Sequence, residues 1–286
     1  MKEYNGNGLT IMCCSKCNAK CKHCYISYKG NIDADVLEKM CLDLSKKYKL
    51  VINGTEVLLD EGYLKSLSIS KQKRVLTNGI IIHNNKELLS KVYDTGSQSI
   101  ALSYHYGIHD NISSVQYSVI VDDIALIKAC GLKVTLMCTI NSSNYDKVVA
   151  ICDNAYRLGA NEIRYFNYLN VGNAENLSKE NILTDEMLYE FFKGLSEARK
   201  KYSIDTLRIK RNGTFGRDTY LNNDKFSCPS GYDEVVIAPN MKVYPCIYMT
   251  KEGYEIGEYK DGKVLLYEDA SHNKKLCLCK EEFNKR

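Results

Sequence analysis

No run of apolar residues in this 286-residue chain approaches the length of a membrane span, which argues against a helical membrane protein. The opening Met1-Lys2-Glu3-Tyr4-Asn5-Gly6 lacks the apolar core of a secretory signal, so no export is implied. A large excess of charge is missing as well. The formal net charge is +4 at pH 7, which does not argue for nucleic acid or a membrane surface as partner. Proline occurs only three times, and that scarcity says little about function. Cysteine, in contrast, is plentiful and odd in number, at 13. In an exported protein this would mean disulfides with one thiol left over; in an unexported one it points to metal ligation or reactive thiols. The chain is therefore read as belonging to a reducing cytoplasm. Hydrophobic content of 44% and charged content of 26% are ordinary for a globular protein. The length suits one barrel-sized domain, or a barrel with a small appendage, and needs no cross-links for reasons of size.

Three of the cysteines lie in Cys17-Asn18-Ala19-Lys20-Cys21-Lys22-His23-Cys24-Tyr25, just after the apolar run Leu9-Thr10-Ile11-Met12. This spacing puts three sulfurs on one loop. Three thiolates on a four-iron cluster leave one iron without a protein ligand, free to take a small molecule. Four-cysteine ligation is the norm for electron-transfer clusters, so a trio reads as a reactive site. The alternative is zinc held by the trio and His23. His23, however, sits inside the same tight loop, and zinc ligands usually come as two separated pairs.

From Leu9 to Gly172 short apolar runs alternate with amphipathic stretches. The expected strands are Leu9–Cys13, Leu50–Ile52, Arg74–Leu76, Ser99–Leu102, Lys133–Cys138 and Glu162–Asn167. The expected helices are Asp33–Tyr48, Tyr63–Leu67, Lys86–Tyr93, Val121–Cys130 and Tyr145–Leu158. Asp33 is placed to cap the first of these, and Val36, Leu37, Met40, Cys41 and Leu44 are assigned to its inner face. Strands alternating with helices of this length imply an α/β fold with a parallel sheet, here a partial (β/α)6 barrel. Sites in such folds lie at the C-terminal ends of the strands, where the cysteine loop also falls.

Cys17, Cys21 and Cys24, followed by Tyr25, resemble the signature loop of radical S-adenosylmethionine (SAM) enzymes. The segments after the later strands strengthen the likeness. Asn53-Gly54-Thr55-Glu56 resembles the Gly-Gly-Glu loop of that family, which receives the amino group of SAM; here Asn53 replaces the first glycine. Thr77-Asn78-Gly79 is a tripeptide common at its place in the family. Ser103 stands where the family often offers a hydroxyl to the ribose. Thr139-Ile140-Asn141 ends the fifth strand, and Asn170-Val171-Gly172-Asn173-Ala174 is similar to the family's glycine-bearing turn. Taken singly, each also reads as an ordinary turn; their order carries the resemblance. Many relatives place an Arg early in the helix after strand four to hold a carboxylate. The matching stretch, His109-Asp110-Asn111-Ile112-Ser113-Ser114, has none. Arg164 is the candidate to supply a bidentate guanidinium instead; the alternative is that it pairs with Glu162 or another acid.

A helix is expected over Thr184–Tyr202, capped by Thr184 with Met187, Leu188, Phe191, Phe192 and Leu195 buried, then a strand over Ile204–Lys210. The basic run Leu207-Arg208-Ile209-Lys210-Arg211, with Arg217 beyond it, is read either as a grip for a substrate carboxylate or acidic peptide, or as a solvated strand face. Four further cysteines, Cys228, Cys246, Cys277 and Cys279, follow. Asp233–Ala238, Pro239-Asn240 and Met241–Tyr244 read as a β-hairpin that folds Cys228 and Cys246 near each other. Four thiolates suit a second cluster or a structural zinc. Cys228-Pro229-Ser230-Gly231 and Val243-Tyr244-Pro245-Cys246 resemble the twitch or SPASM appendage of radical SAM enzymes, in its shorter one-cluster form. The resemblance implies an auxiliary 4Fe–4S cluster, and a division into a barrel over 1–203 and an appendage over 204–286.

By resemblance, the open iron of a 4Fe–4S cluster on Cys17, Cys21 and Cys24 chelates SAM. One-electron cleavage then yields a 5′-deoxyadenosyl radical that takes hydrogen from an unactivated carbon, with the cofactor supplying the hard chemistry. SAM-binding positions are then Tyr25, Gly54, Thr55, Glu56, Asn78, Ser103 and Arg164. A thiol returning hydrogen would epimerise the carbon, and Cys14 and Cys138 are the candidate donors. Oxidation or cross-linking needs a base, for which Asp233 is the candidate. The Cys228-to-Cys246 segment also resembles peptide epimerases, but Ile247 stands where their donor thiol would be. The first expected function is modification of a ribosomal peptide. With only 16 residues before Cys17, a separate leader-peptide-binding protein or a short substrate is expected, together with an electron donor such as flavodoxin or ferredoxin. The alternatives are oxidation of a small molecule, such as an amino-sugar or cofactor precursor, and a non-catalytic iron–sulfur or zinc protein.

Overall fold

The computed structural model describes residues 1–177, 179–212, 215, 230–231 and 233–268. A short β1 (Lys2–Glu3) precedes β2 (Gly8–Met12). The elements that follow are α1 (Ala34–Leu44), β3 (Lys49–Asn53), α2 (Tyr63–Ser70), β4 (Arg74–Thr77), α3 (Ile80–Asn84), α4 (Glu87–Asp94), β5 (Ser99–Ser103), α5 (His109–Ile112) and α6 (Tyr117–Ala129). Next come β6 (Lys133–Ile140), α7 (Val148–Arg157), β7 (Glu162–Asn167), α8 (Asp185–Lys201), β8 (Arg208–Arg211), β9 (Glu234–Ile237), β10 (Lys242–Tyr244), β11 (Gly257–Lys260) and β12 (Lys263–Leu266). All six expected strands form within two residues of their expected ends, and the fold is the α/β arrangement of parallel strands and helices expected. No helix among the described residues is long and apolar enough to cross a membrane.

Two sheets carry the parallel strands. One runs β4-β5-β6-β7-β8, all parallel. The other runs β1-β12-β11-β10-β9-β2-β3, in which β2 is parallel to both β3 and β9. The hairpin expected around Pro239-Asn240 forms as β9 and β10, and β9 lies directly against β2. The strand expected over Ile204–Lys210 forms as β8 beside β7. Thus β8 and β9, on the far side of residue 204, each pair with a strand from the first part of the chain.

Side chains alternate between the two faces of each strand. Leu9, Ile11, Ile100, Leu102, Val134, Leu136, Cys138, Ile163 and Tyr165 share one face and join Leu37, Met40, Cys41 and Leu44 of α1 in the main core. Helix α1 starts where Asp33 accepts from the backbone N–H groups of Asp35 and Val36, a normal N-cap. Val36 is a correction to the expected inner face: it is 45% exposed. It lies one residue, about 100° of helix rotation, off the stripe made by Leu37, Met40, Cys41 and Leu44. The helix expected over Tyr145–Leu158 opens as one 3₁₀ turn, Tyr145–Lys147, before α7. Thr184 caps α8 by accepting from the N–H of Met187.

The two sheets part between β3 and β4, which share no ladder. Gln72 fills the break. Its Oε1 accepts from Ile52 N at 2.6 Å, and its Nε2 donates to Arg74 O at 3.0 Å. One buried carboxamide thus satisfies a donor on one strand and an acceptor on the other. Gln72→Met should keep the volume but leave both groups unpaired, at about 1–3 kcal/mol. Urea unfolding should show a lower midpoint with an unchanged slope, whereas an unmoved midpoint would mean that water replaces the bridge.

Candidate active site

The chain from Cys13 to Ile32 leaves the C-terminal end of β2 and returns to it, closed by Ile32 N donating to Cys13 O at 2.8 Å and Ser15 N donating to Gly30 O at 3.0 Å. Tyr28 Oη ties the loop to its own base through Cys14 O at 2.9 Å. Segments at the ends of other strands then hold it. After β3, Thr55 N and Oγ1 both donate to Cys14 O, at 2.9 and 3.2 Å. After β4, Asn78 Nδ2 donates to Asn18 Oδ1 at 2.8 Å and to Cys17 Sγ at 3.5 Å. Beyond β5, Ile112 O accepts from Lys22 N at 2.9 Å, and Ser114 Oγ accepts from Lys20 N at 2.6 Å. Ser113 and Ser114 place their hydroxyls 3.6 and 3.9 Å from Cys21 Sγ. After β7, Asn173 N donates to Cys24 O at 2.8 Å. Gly172, at φ +63°, lies so close that an added Cβ would meet Cys24 O at 2.6 Å, a position only glycine fills without strain.

The three thiols are each half-buried on this loop. His23 does not join them as a fourth ligand. Its Nδ1 faces Ile112 O at 3.0 Å, and its ring packs edge-on against His105, with centroids 4.6 Å apart. His105 Nδ1 accepts from Thr139 N. Burial pushes His105 well below the usual imidazole range and His109 down to about 4, so both are neutral near pH 7.

Glu56 is the charged group of the site. It is 1% exposed. Its Oε2 accepts from Asn78 N at 2.7 Å, while Oε1 is buried with no partner among the described residues. Burial pushes its carboxyl up to about 7, against the opposing hydrogen bond from Asn78 N. Gly54 keeps the backbone tight here: an added Cβ would meet Cys14 Sγ at 2.6 Å.

Not every expected residue comes to this place. Tyr25 is half-buried, its ring 4.8 Å from that of Tyr248; burial raises its hydroxyl, with Cys24 and Cys246 nearby adding to the effect. It stands between the first cysteine group and Cys246. Cys228, Cys277 and Cys279 lie outside the described residues. Cys14 is buried below Gly54; the Cys13 thiol and the N–H groups of Glu56 and Thr55 hold it below the ordinary thiol range against burial. Ser103 is half-buried at the end of β5. Cys138 faces the helix layer instead, where burial raises its thiol, and Cys152 adds to the effect. Arg164 turns to Glu162, its Nη2 3.0 Å from Oε1. Of the two partners expected for it, the structure gives the acid. Asp233 sits beside Gly8, at the start of β9 and so at the opposite end of the sheet from the cysteine loop, where its Oδ1 accepts from Asn7 N and Nδ2.

No family model matches the chain, and no curated protein matches its sequence. Solved structures do. SuiB from Streptococcus suis, bound to precursor peptide SuiA, superposes with a TM-score of 0.70 at 15% identity, covering 91% of this chain. The chain spans only 63% of that SuiB chain. Native anSMEcpe with bound AdoMet gives a TM-score of 0.71 at 17% identity, covering 92% of this chain and 80% of that one. The same enzyme with AdoMet and the Cp18Cys peptide gives 0.69 at 17% identity, covering 89% and 77%. These neighbours are radical SAM enzymes. The chain has the radical SAM fold.

The residues present fit the group that this fold implies. Three thiols share one loop at the C-terminal end of β2, and Glu56 Oε1, without a partner among the described residues, suits a cationic amino group. Asn18, Ser113, Ser114 and Tyr28 were not singled out in the sequence as holding this loop. The paired hydroxyls of Ser113-Ser114 were the available signal.

Because the carboxyl of Glu56 is raised on folding, its ionisation costs stability. The unfolded group titrates near 4.5, so stability falls as pH rises from there through about 7. Glu56→Gln should flatten this stretch of the pH–stability curve, by an amount on the order of 3 kcal/mol. Thermal melts across pH 4 to 8 check it; parallel curves for the two proteins would show that Glu56 titrates normally.

Proposed function

We propose that this protein is a radical SAM enzyme that modifies a ribosomal peptide by C–H abstraction, with oxidation, cross-linking or epimerisation as the outcome. The observation that carries the reading is the juxtaposition of three half-buried thiols on a clamped loop with the orphaned carboxylate oxygen of Glu56. Cys17, Cys21 and Cys24 would hold a 4Fe–4S cluster, which would supply the electron for one-electron cleavage of SAM. The chain's own part is positional. Glu56 Oε1 accepts from the amino group of SAM, Gly54 lets the backbone approach, and Asn78 holds both Cys17 and Glu56 in place. Ser103 offers its hydroxyl at the same end of the barrel. The packed loop and the strand-end segments around it exclude water, which protects a reactive intermediate.

A peptide substrate is supported by the company the fold keeps: SuiB was solved with precursor peptide SuiA, and anSMEcpe with the Cp18Cys peptide. Cys246, within reach of Tyr25, would join Cys228, Cys277 and Cys279 around an auxiliary 4Fe–4S cluster in a twitch or SPASM-like segment. A flavodoxin or ferredoxin would provide the electron, and a separate protein would hold the leader peptide. Cys14, buried next to the site, is the candidate thiol to return hydrogen.

Anaerobic protein reconstituted with iron and sulfide should be brown and, when reduced with SAM, should release 5′-deoxyadenosine. Cys17→Ala, Cys21→Ala and Cys24→Ala should each abolish that release. Colourless, iron-poor preparations, or variants that still cleave SAM, would end the proposal. With a peptide from a neighbouring short reading frame, a mass change of minus two marks oxidation or cross-linking. No mass change with deuterium uptake marks epimerisation.

A further inference from the structure

The face of the five-stranded sheet turned away from the helices is not apolar like the other. Strand register puts Arg74 level with Ser99 and Lys133, Glu162 level with Arg208, and Arg164 level with Lys210. With a side-chain period of two, these six charged groups share one face. Among the described residues, Glu162 is the only acid on that face of this sheet, against five cations. Both Arg74 Nη2, at 3.1 Å, and Arg164 Nη2, at 3.0 Å, converge on the same oxygen, Glu162 Oε1. The carboxylate is 6% exposed, while the two guanidinium side chains remain 28% and 31% exposed. Arg208 and Lys210 are exposed beside them. Burial, with Arg164 and Arg208 adding to it, presses against the charge on Arg74, while Glu162 supports it.

A solvated strand face does not look like this. Two largely buried guanidiniums share one oxygen, next to two more cations, and a half-buried charge without a full partner is costly. The planar fork of Arg is matched to a carboxylate, and more forks are present than carboxylates. Half-buried Met137 lies on this face level with Arg164, and half-buried Phe166 lies one step nearer the cysteine-loop end, level with Thr139. The basic layer at Arg164 is three residues short of the strand end at Asn167, roughly 10 Å at strand rise.

We propose that this basic face binds an acidic segment of the peptide substrate, its Asp or Glu side chains bridging Arg74 and Arg164 with Arg208 and Lys210. The inference deepens the peptide reading above and rests on it. Acidic residues on the Arg164–Lys210 layer then lie about three residues from the position presented at the cysteine-loop end, and those on the Glu162–Arg208 layer about five, with Phe166 in between.

The test uses reconstituted holoenzyme with SAM under anaerobic conditions and three short fluorescein-labelled peptides. They are identical except for two Glu, two Gln or two Lys, and they are titrated by anisotropy. The Glu peptide should bind about tenfold or more tightly than the Gln peptide, and added salt should erode the difference. The Lys peptide should bind most weakly. Arg208→Gln/Lys210→Gln, which leaves the Arg74–Glu162–Arg164 group in place, should lose most of the preference while keeping its thermal midpoint. Equal binding of the Glu and Gln peptides overturns the inference, as does a preference that survives the double variant. Inorganic phosphate binding more tightly than the Glu peptide overturns the assignment to a peptide. Release of 5′-deoxyadenosine from the same preparation is scored separately. Release without any charge preference sinks this inference alone, and no release sinks the radical reading itself.

Discussion

The backbone of the cysteine loop is tied down mostly by other parts of the chain. Within it, Cys24 N to Cys21 O is a weak turn contact at 3.3 Å, and the peptide groups nearest the thiols look outward for partners. They find them at Thr55, Ile112, Ser114 and Asn173, and Asn78 adds a side-chain bond to Asn18, so that the loop is held from beyond four different strands. Buried peptide groups must be paired, so the loop has a fixed shape only when those four strands are in register. The site is in this sense a readout of strand alignment, and that alignment is enforced at the C-terminal ends of the strands as well as in the core.

The same economy explains the electrostatics. Asn78 N neutralises one oxygen of Glu56, while Asn78 Nδ2 points back to the loop. One residue thereby links the acid to the thiols. The second oxygen is buried with no hydrogen-bond partner of good geometry among the described residues, although the Thr77 side chain and Leu58 N join Asn78 N in opposing the effect of burial on the acid. Such unpaired groups tend to mark places where something binds. Arg74, Glu162 and Arg164 repeat the pattern with the opposite sign, lower on the inner face of the sheet.

Much of this was legible in the sequence because it is local. The alternation in Glu162–Asn167 gives β7 residue for residue, and Asp33 and Thr184 cap the helices they precede. The cysteine spacing and the polar tips after each strand pointed to the right end of the barrel. What was not legible depends on distant partners. The hairpin around Pro239 could be read, but not that β9 lies on β2, more than two hundred residues away. Gln72 looks like any loop glutamine until Ile52 is placed beside it. Arg164 offered two partners, and only the fold chooses Glu162. The four-residue α5 is too short to leave a periodic trace.

The pairing of β9 with β2 has a consequence for how the molecule is made. Strand β2 carries the cysteine loop, yet one of its edges stays bare until Ile237 has been synthesised. The short β1 waits longer still for β12, and the Met1 amino group for Glu268. Contacts so far apart in sequence close late and slowly. The nascent chain therefore carries the three thiols of that loop through most of translation beside an unfinished sheet.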